Sequence, residues 1–333
     1  IGAGLGSFKN MSLEAVEAVK RCDSVYVDVY TSLWAPDFLE QLQAISPNCI
    51  IADRRLLEDG SHKILAEAKT KEVGIVIPGD PFIATTHAAV RTLAHRRKIP
   101  VKIIHGTSIV SSAISASGLH VYKFGKIVTV PKTEDPLQFM QVFKTVEENL
   151  SRGLHTLLLL DTADGGLSVA EALKQLEKAS SNLGVGWLPP KTLVIALARL
   201  GFPEFKITAS TLEEISATLL PPPPHVIIIP SRLHFSEREV VNTYSESALE
   251  QSMTEINPVK DRVKRYVEKC RRILSIVAKE PELADYADYV SNYVNDAERF
   301  LDSDDIVNSL LAVGYAEGLL DGLRMMKRVD FQW

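Results

Sequence analysis

Short runs of β-branched and other apolar residues, bounded by glycine, proline or polar turns, alternate along this chain with longer stretches of helical period. Ile75-Val76-Ile77, between Gly74 and Pro78, reads as a buried strand of a parallel sheet. Comparable runs lie at Ile1 to Gly6, Ser24 to Tyr30, Cys49 to Ala52, Val101 to His105, Leu157 to Asp161, Thr192 to Ala198 and Val226 to Ile229. Between them, helices are predicted over Ser12 to Cys22, Pro36 to Ile45, Ser61 to Lys71, His87 to Arg97, Ser108 to Ser117, Pro136 to Arg152 and Ser168 to Lys178. Ser12 is placed as the N-cap of the first, with Met11 and Val16 as a hydrophobic staple. The alternation predicts two α/β subdomains, 1–100 and 101–235, whose sheets face each other across a cleft.

From Ser236 the pattern changes. Residues 236–256 are polar and weakly patterned, which predicts a linker. Asn257-Pro258 then makes a good helix start, and Val259, Val263, Tyr266, Cys270, Ile273 and Val277 form the seam of a packed helix, so 257–333 is predicted to be a helical domain. Lys260, Arg262, Lys264, Arg265, Lys269, Arg271 and Arg272 make its first helix basic, whereas Glu282 to Asp305 is mostly acidic. Opposite charges on neighbouring helices are the simplest account, and an RNA- or ribosome-facing patch is the alternative. Gly314, Gly318 and Gly322 recur every fourth residue, so another helix is expected to lie close against that face.

Composition narrows the function classes. A chain of 333 residues with 46% hydrophobic and 24% charged residues has ample material for a core and falls in the ordinary globular class. A net charge of -5 argues against a nucleic-acid partner, because phosphate recognition needs a basic surface. Cys22, Cys49 and Cys270 are far apart and lack the spacing of a disulfide framework or zinc site, which suits a reducing cytoplasm and no bound metal. No apolar run approaches the roughly 20 residues that span a bilayer, so no membrane partner is expected. The abrupt start at Ile1-Gly2-Ala3, inside a predicted strand, suggests that a few residues precede it.

Candidate chemistry concentrates in GIVIPGDPFIATTH, Gly74 to His87. A strand ending in Gly79-Asp80-Pro81 ahead of a helix puts Asp80 at the carboxyl edge of the sheet, where open α/β sheets bind ligands. A local Asx or cap role for Asp80 is equally compatible with the spacing. His105-Gly106-Thr107-Ser108-Ile109-Val110 repeats the logic, with Thr107 or Ser108 as the N-cap. Gly2-x-Gly4, with Asp28 further on, imitates a dinucleotide fingerprint, but Gly6 falls one position early and Ser7 stands in the third glycine's place. There is no nucleophile-elbow serine, His-Glu-x-x-His or metal-spaced cluster, so hydrolase readings have no residues to carry them. The eight histidines are dispersed, and His87, His105, His120 and His155 are expected to be structural.

PGDPFIATTHAAVR, IGAGLG, Tyr30-Thr31-Ser32, GLHVYKFGK and PPHVIIIPSRLHF together resemble the diphthine synthases. These belong to the tetrapyrrole-methylase-like (class III) S-adenosylmethionine-dependent methyltransferases. The resemblance covers Ile1 to about His234. It implies a two-domain α/β methylase fold, here with an appended all-α domain. It also implies an archaeal, cytoplasmic homodimer that methylates the amino group of a modified histidine on translation elongation factor 2. Carried over to this sequence, the donor site comprises Leu5, Asp80, Ile83, Ser108 and Ile109, with Leu160, Leu200 and His225 from the second subdomain. Leu200 departs from the family in standing where a small residue is common, and Pro221 to Pro224 is a longer proline run than usual. A corrin or porphyrin methyltransferase of the same fold is an alternative, as is a non-catalytic adaptor acting through the tail. The final segment, with YAEGLLDGLR, resembles a small helical domain of unknown function found in archaeal proteins.

Overall fold

The computed structural model of the chain describes residues 1–245, 258–303 and 305–333. The chain divides into two compact units, Ile1–Glu255 and Ile256–Trp333.

In the first unit, Ser12 caps α1 (Leu13–Arg21) by accepting the Ala15 N–H at 3.1 Å. β1 (Ser24–Asp28) is buried throughout, and α2 (Phe38–Ile45), β2 (Cys49–Ala52), α3 (Arg54–Leu57), α4 (Ser61–Glu67) and β3 (Val73–Val76) follow. The sheet runs β2-β1-β3, all parallel, with Val27 opposite both Ile51 and Val76. The three strands therefore end at one edge, and the loops that leave it sit side by side. Val25, Val27 and Val76 pack with Val19, Phe38 and Leu42 into the core beneath.

The strand expected at Ile1 to Gly6 is reduced to single bridges from Gly2 to Ile77 and from Gly4 to Gly79. The run expected at Val101 to His105 forms no ladder and contributes one bond, Gly2 N–H to the Ile104 carbonyl at 2.8 Å. Gly4, at φ +73°, turns the chain out of the extended conformation before pairing can extend.

After α5 (Ala88–Arg96) and α6 (Ile109–Ser117), a second sheet is built from β4 (Val128–Val130), β5 (Thr156–Leu160), β6 (Leu193–Ala198), β7 (Lys206–Thr211) and β8 (His225–Ile229). Its order is β4-β5-β8-β6-β7. Only β4 and β5 are parallel, and β8 fits antiparallel between β5 and β6. The helices α7 (Met140–Ser151), α8 (Val169–Leu183) and α9 (Leu212–Ala217) connect these strands. The helix expected from Pro136 opens as a 3₁₀ turn, Pro136–Phe139, before α7 begins.

The stretch expected to be a linker begins instead with α10 (Phe235–Asn242), which belongs to the first unit. Val241 packs in the core of the second sheet, and the Tyr244 hydroxyl donates to the Ala116 carbonyl at 2.9 Å. Glu237 is fully buried and accepts from His120 N–H (2.8 Å), His234 N–H (2.7 Å), Lys123 Nζ (2.5 Å) and His155 Nε2 (3.1 Å). A helix anchored by a buried carboxylate looks polar in sequence, which is why it read as a linker. Residues 246–256 of that stretch, and the expected start at Asn257, lie outside the described residues.

The second unit contains α11 (Pro258–Val277), α12 (Ala284–Asp302) and α13 (Ile306–Met325). Val263, Cys270, Ile273 and Val277 of the expected seam are buried in its core, packed with Val290, Val294 and Val313. Arg271 of the basic helix donates to Glu298 of the acidic one, as the charge pattern suggested. The glycine face of α13 is a correction. Among the described residues, nothing beyond the helix's own turns lies within 4 Å of a Cβ built on Gly314, Gly318 or Gly322. The helix instead buries Ser309, Val313, Ala316, Leu320 and Leu323. Among the described residues α13 alone is long and apolar enough to cross a membrane, and its buried face is taken up by this helical core.

Candidate active site

Three glycine turns meet backbone to backbone under the carboxyl edge of the first sheet. A Cβ on Gly106 would stand 2.3 Å from the Gly79 carbonyl oxygen, and one on Gly2 would stand 2.4 Å from the Gly106 nitrogen. No side chain fits there, which is the physical requirement behind glycine at these positions. Gly79 itself has φ +79°, and open space faces its Cα. The Asp80 carboxylate ties the turns together by accepting the Phe82 N–H at 3.0 Å and lying 2.7 Å from His105 Nδ1. Burial opposes its charge, but the bonds from Phe82, His105 and Gly106 outweigh that and hold its carboxyl below the usual range.

Above these turns lies a pocket of about 500 Å³, a size suited to a small ligand. Each parallel strand of the first sheet delivers residues to it just past its carboxyl end: Tyr30, Thr31 and Ser32 after β1, Arg54 after β2, and Pro78, Gly79 and Ile83 to Thr86 after β3. The second sheet adds Thr129, Leu159 to Ala163, Leu197, Leu200 and Pro224 to Val226. The two sheets are joined across it by Thr162, whose hydroxyl donates to the Thr31 carbonyl at 2.9 Å. Ala84 and Arg199, in loops around the pocket, hold positive φ (57° each), a strained conformation that needs its surroundings to maintain it.

Of the residues expected at a donor site, Leu5, Ile83, Ser108, Ile109, Leu160, Leu200 and His225 all line this pocket. Asp80 does not. It is buried behind the wall as the brace of the Gly79 turn. Ser108 is the N-cap of α6, and its oxygen accepts the Val110 N–H at 3.2 Å, so capping and lining coexist. His225 accepts the Val169 N–H at Nδ1 (3.1 Å) and donates from Nε2 to the Pro221 carbonyl (2.6 Å). Both nitrogens are spent, and burial holds the ring below its usual pKa, so it stands as a neutral wall residue. Arg54 and Asp161 are the charged side chains of the lining, and Asp161 accepts the Ala163 N–H at 2.9 Å.

Arg54, Thr129, Thr162 and Phe202 were not singled out from the sequence. The signal available for Arg54 was its place just beyond the end of β2, at the same edge as the Gly-Asp-Pro turn. The dinucleotide imitation also resolves here. Asp28 is fully buried and its carboxylate is committed to the Tyr30 N–H, the Thr31 N–H and the Thr31 hydroxyl, with His87 Nε2 at 3.1 Å, so it is not available to a ribose.

Residues 1–216 match the family described as Tetrapyrrole (Corrin/Porphyrin) Methylases, and residues 261–329 match one described as a protein of unknown function (DUF357). The chain belongs to the tetrapyrrole methylase family, a class of S-adenosylmethionine-dependent methyltransferases. Within that class it groups with the diphthine synthases. It is 40% identical over 245 residues to the diphthine synthase of Staphylothermus marinus, covering 70% of this chain and 88% of the relative. It is 33% identical over 264 residues to the diphthine methyl ester synthase of Schizosaccharomyces pombe, covering 74% and 93%. A crystal structure of a diphthine synthase superposes with a TM-score of 0.66 at 30% identity, over 74% of this chain and 94% of that one.

Proposed function

We propose that the first unit binds S-adenosylmethionine in the 500 Å³ pocket and transfers methyl groups to the amino group of the modified histidine of translation elongation factor 2, a step of diphthamide biosynthesis. The enzyme would act as the cytoplasmic homodimer that the resemblance implies. The observation that carries this reading is the character of the wall. Seven expected donor residues line one pocket whose histidine has no free nitrogen, so the lining offers positioning rather than imidazole acid-base chemistry. The wall fits the donor: glycine backbone at Gly4, Gly6 and Gly79 admits close approach, and Ile83, Ile109, Leu160 and Leu200 offer apolar surface.

S-adenosylmethionine, when bound, supplies an already activated methyl group, so orientation does most of the work left to the protein. The braced turns fix the backbone, and the apolar side chains exclude water. An α-amino group of pKa about 7.7 to 8.0 needs only about 1.4 kcal/mol to deprotonate at pH 7. Asp161, on the wall, would favour the ammonium form and move that ionisation upward.

Two outcomes are expected. Transfer should accelerate with pH through one ionisation at or somewhat above about 8. The Schizosaccharomyces pombe relative motivates the competing reading, a methyl ester on a carboxylate of the same acceptor. A rate flat between about pH 6 and 9, with methyl released by mild base, would establish that reading instead. Second, Asp80→Ala should weaken S-adenosylmethionine binding by about 1 to 3 kcal/mol in calorimetry, because the Phe82 N–H and His105 lose their acceptor and the Gly79 turn its brace. Unchanged affinity would mean that the turn holds without it.

A further inference from the structure

Tyr30 and Thr86, from the Tyr30-Thr31-Ser32 and ATTH elements, line the same pocket without being among the residues expected to hold the donor, and with Glu58 they gather around Arg54 at the exposed end of the wall. Arg54 carries its guanidinium 5.1 Å over the Tyr30 ring. The Tyr30 hydroxyl lies 3.2 Å from the Thr86 hydroxyl and 3.5 Å from Glu58 Oε1, and Thr86 donates to the same oxygen at 2.9 Å. Glu58 is thus fixed by two hydroxyls, yet it only approaches Arg54, with Nε 3.8 Å away. Among the described residues no acceptor is bonded to either Nη of Arg54. The guanidinium is therefore held in place by stacking and by a nearby charge, with its fork of donors unspent. That fork matches a carboxylate in two-point geometry.

Arg54 is the cation of the lining and Asp161 its anion. A pocket with one of each complements a group that carries an ammonium and a carboxylate together. Two such groups bear on the proposed reaction: the methionine half of the donor and an α-amino-acid end on the acceptor. Arg54 is 69% exposed, so it sits where a group borne on another protein can reach it. We propose that Arg54, positioned by Tyr30, Glu58 and Thr86, binds the carboxylate of the acceptor and thereby turns its amine, rather than that carboxylate, toward the methyl group. This rests on the function proposed above.

The test uses the full chain, S-adenosylmethionine and elongation factor 2 carrying the unmethylated modified histidine. Arg54→Gln is expected to raise KM for the factor by about tenfold to a hundredfold, the loss of a charge-assisted contact, with S-adenosylmethionine affinity unchanged. Arg54→Lys, which keeps charge without the fork, should fall between the two. Methyl recovered in base-labile form should increase in Arg54→Gln, because the released carboxylate can then enter the reacting position. Unchanged S-adenosylmethionine affinity also confirms that the variants fold. If donor affinity falls as far as KM rises, the guanidinium holds the donor's own carboxylate and the proposal is wrong. An unchanged KM overturns it as well. Failure of the unaltered chain to methylate the factor would instead remove the reading on which it rests.

Discussion

A chain ending after His234 is expected to lose the fold of the first unit, whereas one ending after Ser245 should bind S-adenosylmethionine as the full chain does. The difference is α10. It carries Glu237, whose buried carboxylate accepts four hydrogen bonds, from His120, His234, Lys123 and His155, and Val241, which closes the core of the second sheet. Glu237→Ala in the full chain isolates the carboxylate's part. It leaves His155 Nε2 without its acceptor and Lys123 Nζ with the Arg232 carbonyl but no counter-charge, and breaking a buried pair in this way costs about 3 to 5 kcal/mol. Denaturant unfolding of the first unit measures it, and a midpoint unmoved by Glu237→Ala would show that the helix docks through Val241 and Tyr244 alone.

The same group gives the unit an acid limit. Burial opposes the charge of Glu237, but Lys123, the His120 and His234 N–H groups and His155 pull its carboxyl down to about 2 from 4.5. A carboxyl depressed in the folded state contributes stability that is complete above about pH 4.5 and lost as pH falls from there toward 2, about 3 kcal/mol in all. His155 acts in the same direction. Its Nδ1 accepts the Ser231 N–H at 2.9 Å and burial lowers its pKa, so the folded state keeps it neutral while the unfolded chain protonates below about 6.5. Stability should therefore begin to fall below pH 6.5 and drop faster below pH 4.5, and Glu237→Gln should flatten the second fall.

The second large effect is expected at Gly106. Its added Cβ in Gly106→Ala meets backbone atoms, the Gly79 carbonyl oxygen at 2.3 Å and the Gly2 carbonyl carbon at 2.7 Å, and neither can swing aside as a side-chain end could. The turns under the pocket must separate. Overpacking of this kind costs about 1 to 3 kcal/mol in stability, and because the displaced turns form the pocket floor, donor affinity should fall about tenfold or more. Gly186→Ala is the control, since among the described residues nothing lies within 4 Å of its Cβ. Equal affinities for Gly106→Ala and the unaltered chain would mean that the turns do not shape the site.

These three glycine turns were legible in the sequence because their chemistry is local. A glycine and a hydroxyl residue after an apolar run specify turn and helix start within ten positions, and Ser12 and Ser108 cap the helices where that grammar puts them, although the runs at Ile1 to Gly6 and Val101 to His105 form no ladder. Strand direction was not legible. β8 enters between β5 and β6 antiparallel to both, and an alternation of apolar runs carries no information about direction. α10 was hidden for the opposite reason, since its anchor is a buried carboxylate and a hydrophobic pattern registers buried apolar groups alone. Spacing located Asp80 at the sheet edge and left a ligand role and a local turn role equally open, whereas only three-dimensional contacts show its oxygens bonded to Phe82 N–H and His105. The glycines of α13 failed as a packing signal because the helix turns its larger apolar residues, Val313, Leu320 and Leu323, toward α11 and α12.

The central claim is that the first unit methylates an amine on elongation factor 2, and mass spectrometry of the factor tests it most directly. The factor carrying the unmethylated modified histidine would be incubated with this chain and S-adenosylmethionine, and the histidine-bearing peptide examined before and after mild alkali. The account expects that peptide to gain methyl groups that survive alkali, and to gain none when the factor lacks the modification. A peptide whose mass does not change while the chain binds S-adenosylmethionine, or one whose added methyl is removed by alkali, would contradict it.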